Sequence, residues 1–280
     1  MAVYDKSGNA LTSVYNKNGS ALSQAYDIDG EELLTPQPTE LVVMSYNVQG
    51  FSGINSNQTM QEEIIATYTP DIVGLQELGM ASTLPSVGAA AFSDYPYQYL
   101  SPAIYNRPAI VSKILLSNVA GSLFENQDGE QRGYQKSYFT YGGKTICWIN
   151  THLATSDNES AKVAQAGELF DLVENETYFI ITGDFNTVCK NTSATEYTTI
   201  MKQFVDAGYN VANCSEQFGF TDTWTAGNSV SGTWYPCDHI ITSANISMDE
   251  VIVDTTKIEV ASQTGQSIDH LPIVAVLTIT

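Results

Sequence analysis

Apolar residues in this chain gather in short runs that repeatedly end in one or two polar or ionisable groups. Leu41-Val42-Val43-Met44-Ser45-Tyr46 runs into Asn47, and Asp71-Ile72-Val73-Gly74-Leu75-Gln76 runs into Glu77. Ile146-Cys147-Trp148-Ile149 leads to Asn150-Thr151-His152-Leu153, and the run 178–181 leads to Gly183-Asp184-Phe185-Asn186. Asp238-His239 opens the run Ile240-Ile241, and Asp269-His270-Leu271-Pro272 precedes the run 273–277. Runs of this length, rich in branched residues and bounded by polar ones, predict buried strands. Residues i and i+2 of an extended strand share a face, so Asp184 and Asn186 are expected to look into one cleft. Gly183 before them allows close approach of backbone or ligand. An Asp or Asn at a strand end is also an ordinary turn former, but so many strands ending alike exceed what capping requires.

Between these runs the period changes. Residues 59–68 carry Met60, Ile64, Ile65 and Tyr68 at helical spacing. Residues 157–173 do the same through Val163, Ala166, Leu169, Phe170 and Val173, behind a cap at Ser156 or Asp157. Residues 109–116, 134–141 and 145–150 read as strands, the last two joined as a hairpin through Gly142-Gly143. Helices and hairpins intermixed in this way predict an α/β protein with a mixed sheet.

The first 34 residues stand apart as three 11-residue units with Tyr, Gly and Leu in register: Tyr4/Gly8/Leu11, Tyr15/Gly19/Leu22 and Tyr26/Gly30/Leu33. Asp or Asn ahead of Gly fits a tight turn, so each unit reads as a small β-hairpin arm. Such units bury little alone and are expected to dock on the main domain or to self-associate. They resemble attachment segments of phage-tail or surface proteins. The Pro-containing stretch 35–39 reads as an extended linker, leaving 40–280 as the main domain.

Composition narrows the partners. The chain has 280 residues, 31 acidic against 11 basic, for a formal charge of −20. That balance repels polyanions at long range and argues against tight nonspecific binding of nucleic acid. The segment 107–144 runs the other way, with five of the cations (Arg107, Lys113, Arg132, Lys136, Lys144) beside three acids. It reads either as a solvated surface or as a substrate-facing one. No stretch reaches the roughly 20 apolar residues of a membrane span. The N-terminus lacks the pattern of a signal peptide, and an extracellular or phage- or surface-associated location is the weak expectation. Of the four cysteines (147, 189, 214, 237), Cys147 sits among apolar strand residues and reads as a buried thiol.

In their order, Ser45-Tyr46-Asn47-Val48-Gln49-Gly50, Gln76-Glu77, Asn150-Thr151-His152-Leu153, Gly183-Asp184-Phe185-Asn186, Asp238 and Ser267-Ile268-Asp269-His270 resemble the endonuclease/exonuclease/phosphatase superfamily. Its members include deoxyribonuclease I, exonuclease III, sphingomyelinases and inositol polyphosphate 5-phosphatases. The resemblance implies a four-layer sandwich of two packed mixed β-sheets flanked by helices, with the active site at one edge. It implies a divalent-metal-dependent phosphodiester hydrolase using Mg²⁺, with Mn²⁺ or Ca²⁺ as alternatives. Asn47 and Glu77 would hold the metal, with Asp269 a second carboxylate on that side. Asp184 would orient or deprotonate the attacking water, and Asn186 would donate to the phosphate. His152 and His270 would bind phosphate or protonate the leaving oxygen, with Asp238 fixing the His270 tautomer. Arg132 falls where family members place a phosphate-contacting arginine, and His239 reads as structural. Gln49 stands where the abasic-site endonuclease branch has a carboxylate, which weakens that branch. A Cys189–Cys237 disulfide is implied by likeness to deoxyribonuclease I, free thiols being the alternative. Three readings stay open: a deoxyribonuclease I-like nuclease, a phosphodiesterase or phosphatase for small or lipid-derived esters, and a binding module of a surface or virion assembly.

Overall fold

The computed structural model describes residues 39–48, 57–78, 91–101, 108–127, 129–155, 158–187, 191–213, 215–225, 234–254 and 270–280. The repeats and most of the linker, together with Gln49, Arg107, Cys189, Cys214 and Asp269, lie outside the described residues.

In chain order the strands are β1 (Thr39–Asn47), β2 (Ile72–Gln76), β3 (Tyr97–Leu100), β4 (Ala109–Ser112), β5 (Ser117–Leu123), β6 (Gly133–Tyr141), β7 (Lys144–His152) and β8 (Phe179–Asp184). They continue with β9 (Asn210–Ala212), β10 (Trp224–Thr225), β11 (Trp234–Tyr235), β12 (Asp238–Thr242), β13 (Ile246–Val253) and β14 (Ile273–Ile279). The helices are α1 (Asn57–Tyr68), α2 (Glu159–Val173) and a π-helical turn (Tyr197–Met201) that continues into α3 (Lys202–Asp206). One six-stranded sheet has the order β13-β14-β1-β2-β4-β3 and the other β5-β6-β7-β8-β12-β9, while β10 and β11 form a separate ribbon. Among the described residues only β1 with β2 and β7 with β8 pair in parallel, so both sheets are mixed, as the sequence predicts.

Alternation along the strands builds three apolar layers. Leu41, Val43, Ile72 and Ile110 of the first sheet meet Ile146, Trp148, Ile180 and Ile240 of the second between the sheets. The opposite face of the first sheet, with Met44, Tyr46, Val73 and Leu75, packs on Ile64 and Ile65 of α1. The opposite face of the second sheet, with Cys147, Ile149, Phe179 and Ile181, packs on Leu169 and Val173 of α2 and on Ile200 and Phe204. Helix, sheet, sheet and helix thus stack as the four expected layers.

Several boundaries move. Helix α2 starts two residues later than its apolar period suggests, because Asn158 is the cap, its side chain accepting the Ala161 N–H at 3.2 Å. β4 stops at Ser112, whose hydroxyl closes a turn by bonding both the N–H and the carbonyl of Ile114. The hairpin between β6 and β7 is as predicted, with Gly142 and Gly143 both left-handed at φ 55° and 75°. No helix among the described residues is long and apolar enough to cross a membrane.

Candidate active site

Strand register brings the polar strand ends together. Asn47, the last residue of β1, lies opposite Gln76, so Glu77 follows directly beside it. On the second sheet His152 pairs with Asp184, and Asp184 pairs with Asp238, setting three ionisable groups in a row across β7, β8 and β12. His270 arrives just ahead of β14, whose Ile273 pairs with Ser45 of β1.

The side chains meet. Asn47 Nδ2 lies 3.1 Å from Glu77 Oε1, 3.0 Å from Asp184 Oδ2 and 3.4 Å from His270 Nε2. His152 Nε2 lies 3.3 Å from Asp184 Oδ2 and 4.0 Å from Glu77 Oε1. His270 Nδ1 donates to Asp238 Oδ2 at 2.9 Å, which leaves Nε2 facing Asp184 Oδ2 at 3.6 Å. Thr223 braces this pair: its hydroxyl accepts the Asp238 N–H at 3.0 Å, and its carbonyl accepts the Leu271 N–H at 2.7 Å. Two of the residues here hold left-handed backbones, Glu77 at φ 60° and Asn186 at φ 50°, a conformation costly for non-glycine residues and concentrated at functional sites.

Asn186 departs from the expected geometry. β8 ends at Asp184, so the period of two does not carry on to Asn186. The chain instead turns, the Asn186 N–H donating to Asp184 Oδ1 at 2.8 Å and its side-chain amide to the Leu153 carbonyl at 3.0 Å. Arg132 stands next to Gly133, the register partner of His152, and its guanidinium is paired with Glu130. The other described cations of the 107–144 segment are engaged locally as well. Lys113 bonds the Thr69 carbonyl, Lys136 pairs with Glu176, and Lys144 sits over the Tyr178 ring.

Cys237 is a free, buried thiol that donates to the Thr187 carbonyl at 2.8 Å; Cys189, its expected disulfide partner, lies outside the described residues. Burial, with Asp184 and Asp238 nearby, pushes this thiol well above its ordinary pKa. Cys147 is also free and buried, as its neighbours predict. His239 is structural: it is fully buried, Nδ1 meeting the Ala212 carbonyl at 3.3 Å and Nε2 the Thr187 hydroxyl at 2.7 Å.

Beneath the site lies a polar layer between the sheets that sequence reasoning passed over. Asn150, two residues before His152, accepts from Gln76 at 2.8 Å and Thr182 at 3.1 Å. Its amide donates to the carbonyls of Leu75 and Ala109, both at 2.9 Å. A Cβ on Gly74 would stand 2.1 Å from Thr182 Oγ1 and 2.4 Å from Asn150 Oδ1, so glycine is what lets this network close. Lys162 and Gln165 of α2 are the other polar groups missed. Both lie on the stripe shared with Ala166, Leu169 and Val173, which marks them as buried.

Electrostatics favour a cation. Burial and then Asp238 raise the Asp184 pKa, against the lowering effects of His270, Asn47 and the Asn186 N–H. His152 is pushed well below its ordinary value by burial, then by Arg132 and His270, so it adds no positive charge at neutral pH. Asp238 Oδ1 is buried with no hydrogen-bond partner among the described residues. Two sets, Glu77 with His152 and Asp184, and Asp184 with Asp238 and His270, offer ligand atoms within 4.8 Å of one another. Predominantly hard oxygen donors, an excess of acid and an orphaned carboxylate oxygen suit a divalent cation such as Mg²⁺.

The sequence matches the Endonuclease/Exonuclease/phosphatase family over residues 44–257. The chain belongs to this family. Among solved structures, TDP2 from Caenorhabditis elegans superposes with a TM-score of 0.63 at 22% identity, covering 85% of this chain and 98% of that one. TDP2 from D. rerio, solved with a single-stranded DNA product, gives 0.66 at 18% identity, covering 86% and 99%. The catalytic domain of human nocturnin, with bound sulfate, gives 0.63 at 20% identity, covering 87% and 94%. At these identities the likeness establishes the fold. Among curated protein sequences none matches the chain. The chain thus carries the phosphoesterase fold of the family, with candidate metal-ligand groups where its strand ends meet.

Proposed function

We propose that the protein is a divalent-metal-dependent phosphodiester hydrolase acting on nucleic acid, a deoxyribonuclease I-like nuclease. The observation that carries this reading is the meeting of Asn47, Glu77, His152, Asp184, Asp238 and His270 at one set of strand ends. Asn47 and Glu77 would hold the cation, which when bound supplies positive charge opposite the phosphate oxygens. A turn of the Asn47 amide puts its oxygen toward that position.

Asp184 serves as the base. Oδ1 is anchored by the Asn186 N–H, and Oδ2 takes the proton of the attacking water. Burial raises its pKa and so makes it a better proton acceptor than an exposed carboxylate. Asp238 holds the proton on His270 Nδ1, which turns Nε2 toward the reacting atoms. Protonated there, His270 donates to the leaving oxygen. His152 and Arg132 take the phosphate side, and Asn186 contributes more by fixing Asp184 than its expected role as a phosphate donor implies. Nucleic acid as substrate is supported by the single-stranded DNA product held by TDP2 from D. rerio.

A second reading, a phosphodiesterase or phosphatase for small esters, is favoured by one feature. The charge of −20 repels a polyanion, and Lys113, Arg132 and Lys136 are each engaged locally. Plasmid DNA incubated with Mg²⁺, with and without chelator, beside bis(p-nitrophenyl) phosphate and p-nitrophenyl phosphate, separates the two. Chelator-sensitive nicking supports the nuclease. Turnover of the small esters without nicking replaces it with the second reading, and no turnover of any of them removes the hydrolase assignment. The repeats at 1–34 we assign to tethering or self-association. Deletion of 1–38 should leave hydrolysis near wild type and alter the mass seen by light scattering.

A further inference from the structure

Helix α2 carries two buried polar side chains that the chemistry above does not use. Lys162 is fully buried; its ammonium donates to the Asn186 carbonyl at 2.7 Å and pairs with Glu196. Gln165, one turn on and equally buried, accepts the Ala154 N–H at 2.8 Å and donates to the Asn126 carbonyl at 2.6 Å. The Asn186 and Ala154 contacts reach the two loops that leave β8 and β7, directly after Asp184 and His152. The loops are also tied to each other, Leu153 N–H to the Asp184 carbonyl at 2.9 Å and Asn186 Nδ2 to the Leu153 carbonyl at 3.0 Å.

A lysine in that place is costly. Removing an ammonium from water is repaid only in part by one carboxylate, and an apolar side chain would continue the stripe of Ala166, Leu169 and Val173 without that loss. What the ammonium does hold is the peptide of Asn186. That residue is left-handed at φ 50°, and only in this turn does its N–H face back onto Asp184 Oδ1. With Oδ1 engaged, Oδ2 is the oxygen left to face Asn47, His152 and His270. Lys162 grips the carbonyl end of the same residue.

We propose that Lys162 is a positioning residue for Asp184, acting through Asn186: its ammonium holds the turn after β8 so that one carboxylate oxygen stays anchored and the other faces the reacting atoms. This inference rests on the hydrolase reading above. Without the grip, Asn186 relaxes toward ordinary backbone angles, its N–H leaves Oδ1, and the carboxylate rotates among orientations of which few are productive.

Full-length protein carrying Lys162→Met together with Glu196→Gln tests this, since the pair removes the ammonium without stranding its carboxylate partner. On bis(p-nitrophenyl) phosphate with Mg²⁺, kcat should fall about 10- to 100-fold while KM stays within about threefold, the signature of lost positioning. The Asn186 amide, followed by NMR hydrogen exchange, should lose protection while amides within β8 keep theirs. Glu196→Gln alone retains the Lys162–Asn186 bond and should keep kcat within about threefold of wild type. If the methionine variant does not fold, Lys162→Gln in the same background, too short to reach Asn186, is expected to behave alike. Unchanged kcat and unchanged Asn186 protection in the double variant would overturn the proposal. So would a Glu196→Gln loss as large as that of the double variant, because the ion pair and not the grip would then matter. A wild type inactive on every ester would sink the hydrolase reading alone, as the exchange measurement needs no substrate and still decides whether Lys162 holds the turn.

Discussion

Followed along the face that looks into the sandwich, the central strands change character from one end to the other. β8 runs Ile180, Thr182, Asp184; β7 runs Ile146, Trp148, Asn150, His152; β1 runs Leu41, Val43, Ser45, Asn47. At one end the sheets meet through hydrocarbon, in the middle through neutral hydrogen-bonding groups, and at the far end through ionisable ones. The apolar end contributes stability, since burial of each large aliphatic side chain is worth roughly 1.5–3 kcal/mol. The polar end contributes little net stability, because its hydrogen bonds replace bonds to water. Its directional bonds instead fix how the strand ends are set, which hydrocarbon contact alone would leave free to slide. The middle layer joins the two, Thr182 holding both the Trp148 indole N–H and the Asn150 amide oxygen.

The sharpest way to break this comparison is to remove groups from each end. His270→Ala should lower kcat by about 10²–10⁴, with a melting temperature near wild type. Asp184→Asn should lose activity equally and, without metal at pH 8, melt no lower than wild type. Burial raises the Asp184 pKa, so the folded state favours the protonated form; that stability is present at low pH and lost as pH rises through the raised pKa. Asparagine removes this penalty. Mg²⁺ should raise the melting temperature of wild type more than that of Asp184→Asn. At the other end Ile180→Ala should cost about 2–5 kcal/mol in chemical denaturation, with kcat of the folded protein preserved. Equal stability losses at both ends would sink the division of labour.

Much of this gradient can be read from alternate positions of the sequence. Leu41, Val43, Ser45 and Asn47 already show it, as do Ile180, Thr182 and Asp184. Most of the candidate site residues stand at an end of an apolar run, and the alternating helical and strand periods predict an α/β protein with a mixed sheet; the four layers are what the family resemblance implies. What escaped reading escaped for physical reasons. Asn186 was assigned by extending a strand period past its end, when an Asp-anchored turn takes over there. Lys162 looks like a solvated helix residue, and only its place on the stripe of Ala166 and Leu169 betrays its burial. Strand β5 is an exposed edge with no buried residue for a period of two to mark.

A milder perturbation compares two histidines one strand apart. His239 points to the face of β12 opposite the site, edge-on to Phe185 at 5.3 Å, and burial lowers its pKa from 6.5 to about 4. A lowered histidine pKa means the folded state favours the neutral ring. The associated stability is therefore complete above pH 6.5 and lost as pH falls through about 4. When complete the loss is about 3 kcal/mol. His152 adds in the same direction, its pKa being lowered for the same first reason. Denaturant titrations between pH 7.5 and 4 should show that slope, and His239→Gln should flatten part of it while leaving kcat unchanged. A slope untouched by His239→Gln would assign the acid sensitivity to the site end alone.

The smallest change with a readout at both ends is Gly74→Ala. One methyl group placed between the sheets would meet Thr182 Oγ1 at 2.1 Å and Asn150 Oδ1 at 2.4 Å, in the neutral layer itself. Neither side chain can step aside freely. Thr182 holds the Trp148 indole N–H at 3.1 Å, and Asn150 is bonded to the carbonyls of Leu75 and Ala109. Overpacking of this kind costs about 1–3 kcal/mol, and the strain has two ways to relax. If the sheets part toward the apolar end, stability falls and kcat is kept. If Asn150 and Thr182 move, the displacement passes two residues along β7 and β8 to His152 and Asp184, and kcat falls with it. The ramp of polarity predicts the second outcome, since the methyl group meets Thr182 and Asn150 directly, so the expected result is a modest stability loss with about a tenfold drop in kcat. A variant that lost stability but kept kcat would show that the neutral layer insulates the site and does not steer it.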